Sequence, residues 1–213
     1  MNAAKIILII TLCTAVFVAS EYFEIKKPFF SKSKKINSDA AIALPAFGKL
    51  KEKSKEILSY CKKNKMNDQI CFLIDMRIEP GNNRFFVFDL KNEEVTDSGL
   101  VTHGRCNERW LEGRKYSNII GSGCTAPGKY KIGNSYIGMF GLAFKLHGLD
   151  TTNNNAYKRF IVLHSHPCVP QEKVSPLPIC QSDGCPTVSP GFLTRLNKII
   201  KGSNAPVLLW IRE

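Results

Sequence analysis

Long apolar runs are missing from this chain of 213 residues. The one sustained stretch, residues 6–18, falls short of the roughly 20 residues that a membrane-spanning helix needs. With Lys5 ahead of it and Val18-Ala19-Ser20 behind, it reads as the apolar core of a secretory signal cleaved before Glu21. Retention as an N-terminal anchor is the alternative. A lipid-attachment site at Cys13 is disfavoured, because Leu12 is bulky where such a site needs a small residue. Residues 1–20 are therefore set apart as a signal peptide, and the remainder is expected to be exported.

Acid is scarce as well. From Lys26 to Lys65 twelve lysines face three acids, Asp39, Glu52 and Glu56. The whole chain has 30 Lys and Arg against 18 Asp and Glu, a net charge of +12. That balance favours an anionic partner. Nucleic acid is disfavoured as that partner, because an export signal precedes the basic segment and no stacking-aromatic pattern accompanies it. Segment 21–66 divides into an extended basic linker, 26–37, and a helix over 48–65 whose Leu50, Ile57, Leu58 and Cys61 lean to one side. Its plain role is a solvated basic face. Its functional counterpart is a weak hold on an anionic polymer or a membrane surface.

Histidine is rarer still, with four in the chain, and two of them stand together. His164 and His166 follow the apolar run Phe160, Ile161, Val162 and Leu163, read as a strand over 159–163. A loop holding Pro167, Pro170, Pro176 and Pro178 comes next and closes on Ser182-Asp183-Gly184-Cys185-Pro186. One element end thus presents imidazole, and a Gly-containing turn presents a thiol. The thiolate is the nucleophilic form of cysteine, and a nearby imidazole is the usual means of making it at neutral pH. Gly184 lets the backbone approach a substrate, and amides around the turn can form an oxyanion hole. His164, at the strand end, is the expected base, and His166 lines the pocket. His103, His164, His166 and Cys185 are also competent zinc ligands. Pro167 directly after His166, and a Gly-Cys-Pro turn suited to a nucleophile, favour cysteine chemistry with no metal and no cofactor. His147, inside an apolar strand, reads as structural. Gly123 to Lys129 matches a phosphate-loop spacing by chance, since Pro127 precedes and a β-like Tyr130-Lys131-Ile132 follows where a helix should open. Ser59 and Lys62 share a lysine-rich helix where a Ser-x-x-Lys spacing is expected at random.

From residue 67 the pattern is mostly strand. Short segments at 70–75 and 84–90 flank Pro80-Gly81-Asn82-Asn83, a strong turn signal. Further strands are expected at 94–102, 129–132, 142–146 and 206–211. One helix follows the thiol: Ser189 as N-cap, Pro190 at the first position, Gly202 at its end, and Phe192, Leu193, Leu196, Ile199 and Ile200 at helical spacing. The expected fold is a mainly β, curved domain over 67–213. There are eight cysteines. With Cys13 in the signal and Cys185 kept free, six remain, and in an oxidising compartment three pairs are expected: Cys61–Cys71, Cys106–Cys124 and Cys168–Cys180. Ordinary free thiols are the alternative.

The ordered marks resemble the murein L,D-transpeptidase catalytic domains of bacterial cell walls, the YkuD-like family. That family places a His at a strand end and its nucleophile in Ser-x-Gly-Cys, matched by His164-Ser165 and Ser182-Asp183-Gly184-Cys185. A subgroup reading His-Gly, Ser-Asn, Val-x-His and Gly-Cys-Pro is matched by His103-Gly104, Ser117-Asn118, Val162-Leu163-His164 and Gly184-Cys185-Pro186. Asp183 stands where the family usually has His, and Pro186-Thr187 where it often has Ile-Arg. The resemblance implies a curved β-sandwich-like catalytic domain facing the periplasm or cell wall. It implies Cys185 as nucleophile, His164 as base and Gly184 in the oxyanion turn. His103, Asn118, Ser165, His166, Ser182 and Asp183 would lie on the substrate side. Peptidoglycan stem peptides would be the partners, cleaved after the L-centre of the diamino acid with release of D-Ala and transfer to an amine. An L,D-carboxypeptidase or amidase with the same pair, and a non-catalytic wall-binding protein, are the alternatives.

Overall fold

A computed structural model describes residues 44–213, with side chains from residue 53. The expected signal peptide and the linker 26–37 lie outside the described residues. Helix α1 (Leu44–Lys63) is amphipathic. Ile57 and Cys61 on one face are buried with Cys71, Leu73, Phe86, Phe88 and Leu208. Lys55, Lys62 and Lys63 on the other face are solvated. The basic helix therefore covers one side of a sheet while keeping its charge in water.

The sheet has eight strands: β1 (Ile70–Asp75), β2 (Phe85–Asp89), β3 (Glu94–Gly99), β4 (Gly128–Gly138), β5 (Gly141–Gly148), β6 (Val162–Ser165), β7 (Thr187–Val188) and β8 (Leu208–Arg212). Their order is β3-β2-β1-β8-β4-β5-β6-β7. The β1–β2 turn falls where the Pro-Gly-Asn-Asn signal puts it. β1 and β2 are buried at nearly every position and read as continuous apolar runs, because both their faces are covered. β8 inserts between β1, in parallel, and β4, antiparallel. An antiparallel bridge, Val101–Val188, joins the segment after β3 to β7, so the sheet curls back towards itself.

Helix α2 (Pro190–Lys201) fills the concave side. Ser189 caps it by accepting the Phe192 N–H. Phe192, Leu193 and Leu196 are buried among Phe72, Phe85, Tyr130, Leu163 and Leu209. The Phe192 ring meets Phe85 edge-on at 5.2 Å. It comes so close to Gly99 that a Cβ there would stand 2.4 Å from it. This core holds β6 and β7 in place, and with them both halves of the candidate site. A third cluster, Leu100, Val169 and Ile179, lies under the Pro-rich loop.

Three expectations need correction. The strand before the histidines begins at Val162, not at Arg159, because Phe160 adopts φ +56°. β4 and β5 run well beyond 129–132 and 142–146 and end in an apolar tip at Ile137, Met139 and Phe140. Cys106–Cys124 and Cys168–Cys180 are bonded, but Cys61 and Cys71 are free and buried. Those two act as small apolar fillers between α1 and β1. Burial pushes the Cys61 thiol up to about 11 and Cys71 higher still.

Candidate active site

β6 and β7 pair in parallel with His164 opposite Thr187, which brings the 182–186 turn to the edge of the histidine strand. The turn is fixed by short side chains. Ser182 Oγ donates to the Cys185 carbonyl at 2.7 Å and accepts the Gly184 N–H at 3.2 Å. Thr102 Oγ1 donates to the same carbonyl and accepts the Thr187 N–H, each at 3.2 Å. Gly184 sits at φ +104°, and a Cβ there would stand 2.6 Å from the Cys124 carbonyl oxygen. Only glycine satisfies both the dihedral and the contact.

Cys185 is half-buried. The Val162 N–H donates to its Sγ at 3.5 Å, and the thiol faces the Phe160 carbonyl at 3.8 Å. Burial pushes the thiol up from its ordinary range, against the opposing pull of the Val162 N–H and the Arg159 guanidinium. Arg159 was not expected here. Its Nη1 donates to the Ser117 carbonyl at 2.8 Å, and its Nη2 donates to Ser122 Oγ at 3.2 Å and to the Cys124 carbonyl. It thus ties two loops to the wall of the thiol turn. The left-handed Phe160 redirects its carbonyl to the sulfur while its ring stands 84% exposed. Such a conformation costs a bulky residue about 1–2 kcal/mol. The turn ahead holds it, with Ile161 N–H bonded to Ala156 O and Phe160 N–H to Tyr157 O.

His164 Nδ1 lies 3.1 Å from the Ser165 carbonyl, which fixes the proton there and leaves Nε2 as acceptor for the Thr187 hydroxyl at 3.0 Å. Phe140 stacks on the imidazole at 5.0 Å and 19°. Burial lowers the His164 pKa. The resting pair is therefore a neutral thiol and a neutral imidazole. The imidazole joins the Cys185 turn through Thr187, not by a bond to Sγ. Thr187 Oγ1 also lies 3.4 Å from the Cys185 carbonyl, so rotation of its hydroxyl releases Nε2.

The other expected residues divide. Ser182 and Ser165 are structural members of the site, through the turn and through the His164 bond. His166 is beside Phe140, ring centroids 5.4 Å apart, and its Nδ1 accepts the Cys168 N–H at 3.1 Å. Asp183 is exposed and pairs with Arg105 at 2.7 Å. His103 lies behind the turn, 4% exposed, with Nδ1 3.1 Å from Arg84 Nη2. Burial, with Arg84 and Arg114, holds it down to about 4, while a bond to the Gly113 carbonyl opposes them. Its carbonyl accepts the Ser182 N–H at 2.9 Å, so it supports the turn through the backbone. Its ring lines a separate pocket of about 230 Å³ with Trp110, Arg114, Pro176 and Gln181. The Asn118 amide is engaged by Thr151 O at 3.1 Å and Asn154 Oδ1 at 2.7 Å, stapling its loop to the 151–155 turn. Among the described residues no three His, Cys, Asp or Glu side chains converge as a metal site. Thr102, Arg159 and Thr187 carried no chemical signature in the sequence, and Phe140 is brought to His164 only by the length of the hairpin.

The family model for the L,D-transpeptidase catalytic domain matches residues 46–209. No curated protein matches the chain. Among solved structures, an L,D-transpeptidase from Xylanimonas cellulosilytica is 14% identical with a TM-score of 0.38, over 67% of this chain and 59% of that one. An L,D-transpeptidase from Mycobacterium smegmatis is 11% identical with a TM-score of 0.41, over 68% and 59%. The helical cell shape determining protein Pgp2 from Campylobacter jejuni is 14% identical with a TM-score of 0.39, over 68% and 48%. The chain thus spans about half to three fifths of the length of these solved chains. The family match, covering most of residues 44–213 and enclosing both Cys185 and His164, places the chain in the L,D-transpeptidase catalytic domain family.

Proposed function

We propose that the chain is an exported peptidoglycan L,D-transpeptidase that works through a cysteine acyl-enzyme. The observation that carries this is the glycine-gated turn, which presents the Cys185 thiol beside the strand of His164. Cys185 Sγ attacks the carbonyl that follows the L-centre of the diamino acid in a stem tetrapeptide, and its proton passes to His164 Nε2 once Thr187 turns its hydroxyl to the Cys185 carbonyl. The Cys185 N–H holds the oxyanion. Collapse breaks the C–N bond, His164 returns the proton to the departing D-Ala amine, and a thioester remains. An amine from a second stem attacks the thioester and loses its proton to His164; the new amide forms as the C–S bond breaks, and His164 returns the proton to the Cys185 thiolate.

The competing assignment is an L,D-carboxypeptidase or amidase in which water takes the acyl group. Thr187, where the family often has arginine, is the feature that favours it. Incubation with a tetrapeptide donor separates the two by mass spectrometry: crosslinked dimer marks the transferase, and D-Ala release without dimer marks the hydrolase. Export rests on residues 1–20, and N-terminal sequencing of protein secreted by a bacterial host should begin close to Glu21. An intact Met1 on that protein would mark an anchor. The lysines of segment 21–66 would add a weak hold on anionic wall polymer or membrane phosphates.

A further inference from the structure

β4 and β5 carry side chains that the chemistry at Cys185 does not use. In the strand register Lys131 is opposite His147, Tyr136 opposite Ala143, Ala143 opposite His164, and Lys145 opposite Val162. Directly opposed residues project from the same face of a sheet, as do alternate residues along a strand. Phe144, Leu146 and Leu163 take the core face. His164, Lys145, His147 and Lys131 therefore share the other. His147 does not face the apolar interior; it stacks on Tyr157 at 5.0 Å and 16°. Lys145 Nζ stands 5.4 Å over the Tyr157 ring and 5.9 Å over the Tyr136 ring. Lys131, Lys145, His147 and Tyr157 also border a groove of about 620 Å³ that reaches Phe144, Ile200 and Lys201, and no acidic residue lines it. Burial, Lys131 and Lys145 together lower the His147 pKa.

We propose that this cationic face is the docking track for the acidic part of a peptide substrate whose reacting carbonyl lies at Cys185. The proposal rests on the acyl-transfer function above. Lys145 is steadied by rings, which orient an ammonium without cancelling its charge, so it remains able to pair with a carboxylate. From Ala143, level with His164, to His147 is four steps along β5. At about 3.3 Å per residue this is ~13 Å, the reach of four residues of extended peptide. A peptide laid on this face would place its carboxylates against Lys145 and Lys131. His147 would then feel a negative neighbour in place of an unopposed positive field.

The test uses the full chain with Cys185→Ala, titrated with a stem tetrapeptide whose side carboxylates are free, and with the same peptide amidated. His147 should titrate about one pH unit higher with the free acid, and should not move with the amide. In the wild-type chain, Lys131→Met with Lys145→Met should raise KM by about tenfold or more and leave kcat within about twofold, while alkylation of Cys185 by iodoacetamide is unchanged. Arg at the same two positions should restore KM. An unmoved His147, an equal shift with the amidated peptide, or an unchanged KM in the double variant overturns the track. A His147 shift with the free acid alone, but no D-Ala release by the wild type, supports the track and counts against acyl transfer. Turnover indifferent to both lysines does the reverse.

Discussion

At Cys185 burial and local polarity pull in opposite directions, and burial wins. With the thiol pushed up and the His164 imidazole pushed down, both groups are neutral near pH 7. Alkylation of the free enzyme should then climb with pH, with a midpoint above the ordinary thiol value of about 8.5. A midpoint below 7 would mean a resting thiolate–imidazolium pair and contradict this site. Arg159→Met should move the midpoint higher and slow alkylation, because it removes the cation that favours the thiolate. Arg159→Lys should restore part of the rate. His164→Ala should cost acylation by about 10²–10⁴-fold, the usual worth of a positioned base, and His166→Ala much less, since its Nδ1 is engaged by a backbone amide. That Cys185, Gly184 and His164 lie together was legible, because each residue type has few other uses in that order. Arg159 and Thr187 were not, because an arginine before an apolar run and a threonine after a proline carry no chemistry until the fold brings them to a cysteine.

Among the elements, the turn around Cys185 depends on pieces remote from it in sequence. Cys106–Cys124 holds the carbonyl against which Gly184 and Arg159 pack. Gly184→Ala should therefore abolish acylation while leaving the core of α2 and the sheet folded, a split visible by near-UV circular dichroism against activity. Cys168–Cys180 closes the Pro-rich loop, and replacing both by Ser should lower stability by about 2–3 kcal/mol in denaturant titration. His103 gives the elements a pH dependence. Its folded pKa of about 4 lies below its unfolded value near 6.5, so between those values the unfolded chain binds more protons and stability falls as pH falls. The full loss is on the order of 3 kcal/mol. His103→Gln should flatten the slope between pH 6.5 and 4, and an unchanged slope would place the proton uptake elsewhere. The helix α2 and strand β1 were readable to within a residue from caps, turns and apolar periodicity. The start of β6 was not, because the 153–159 turn forces Phe160 into a left-handed conformation that its side chain alone would not choose. The state of Cys61 and Cys71 was not legible, because cysteine parity does not separate a bridge from two buried fillers.

At the scale of the whole described domain, one curved sheet wrapped on α2 holds the Cys185 turn at one edge, and the tip of the β4–β5 hairpin brings Phe140 onto His164. Phe140→Ala should expose the imidazole and raise its pKa towards about 6.5, read by NMR titration, since burial is the first cause of its depression. The fold class was legible because strands, turns and one capped helix alternate at domain length. Curvature was expected from the many short strands, but the bridge that closes it was not, because Val101 meets Val188 from segments far apart in the chain. The measurement that bears most directly on the function is intact-protein mass spectrometry of the chain mixed with a stem tetrapeptide, with and without an acceptor amine. Transient addition of the tripeptide acyl mass on the peptide that contains Cys185, with D-Ala released and dimer formed when the acceptor is present, is the predicted result. Dimer formation undiminished by Cys185→Ala, with no acyl mass on the wild-type chain, would contradict it.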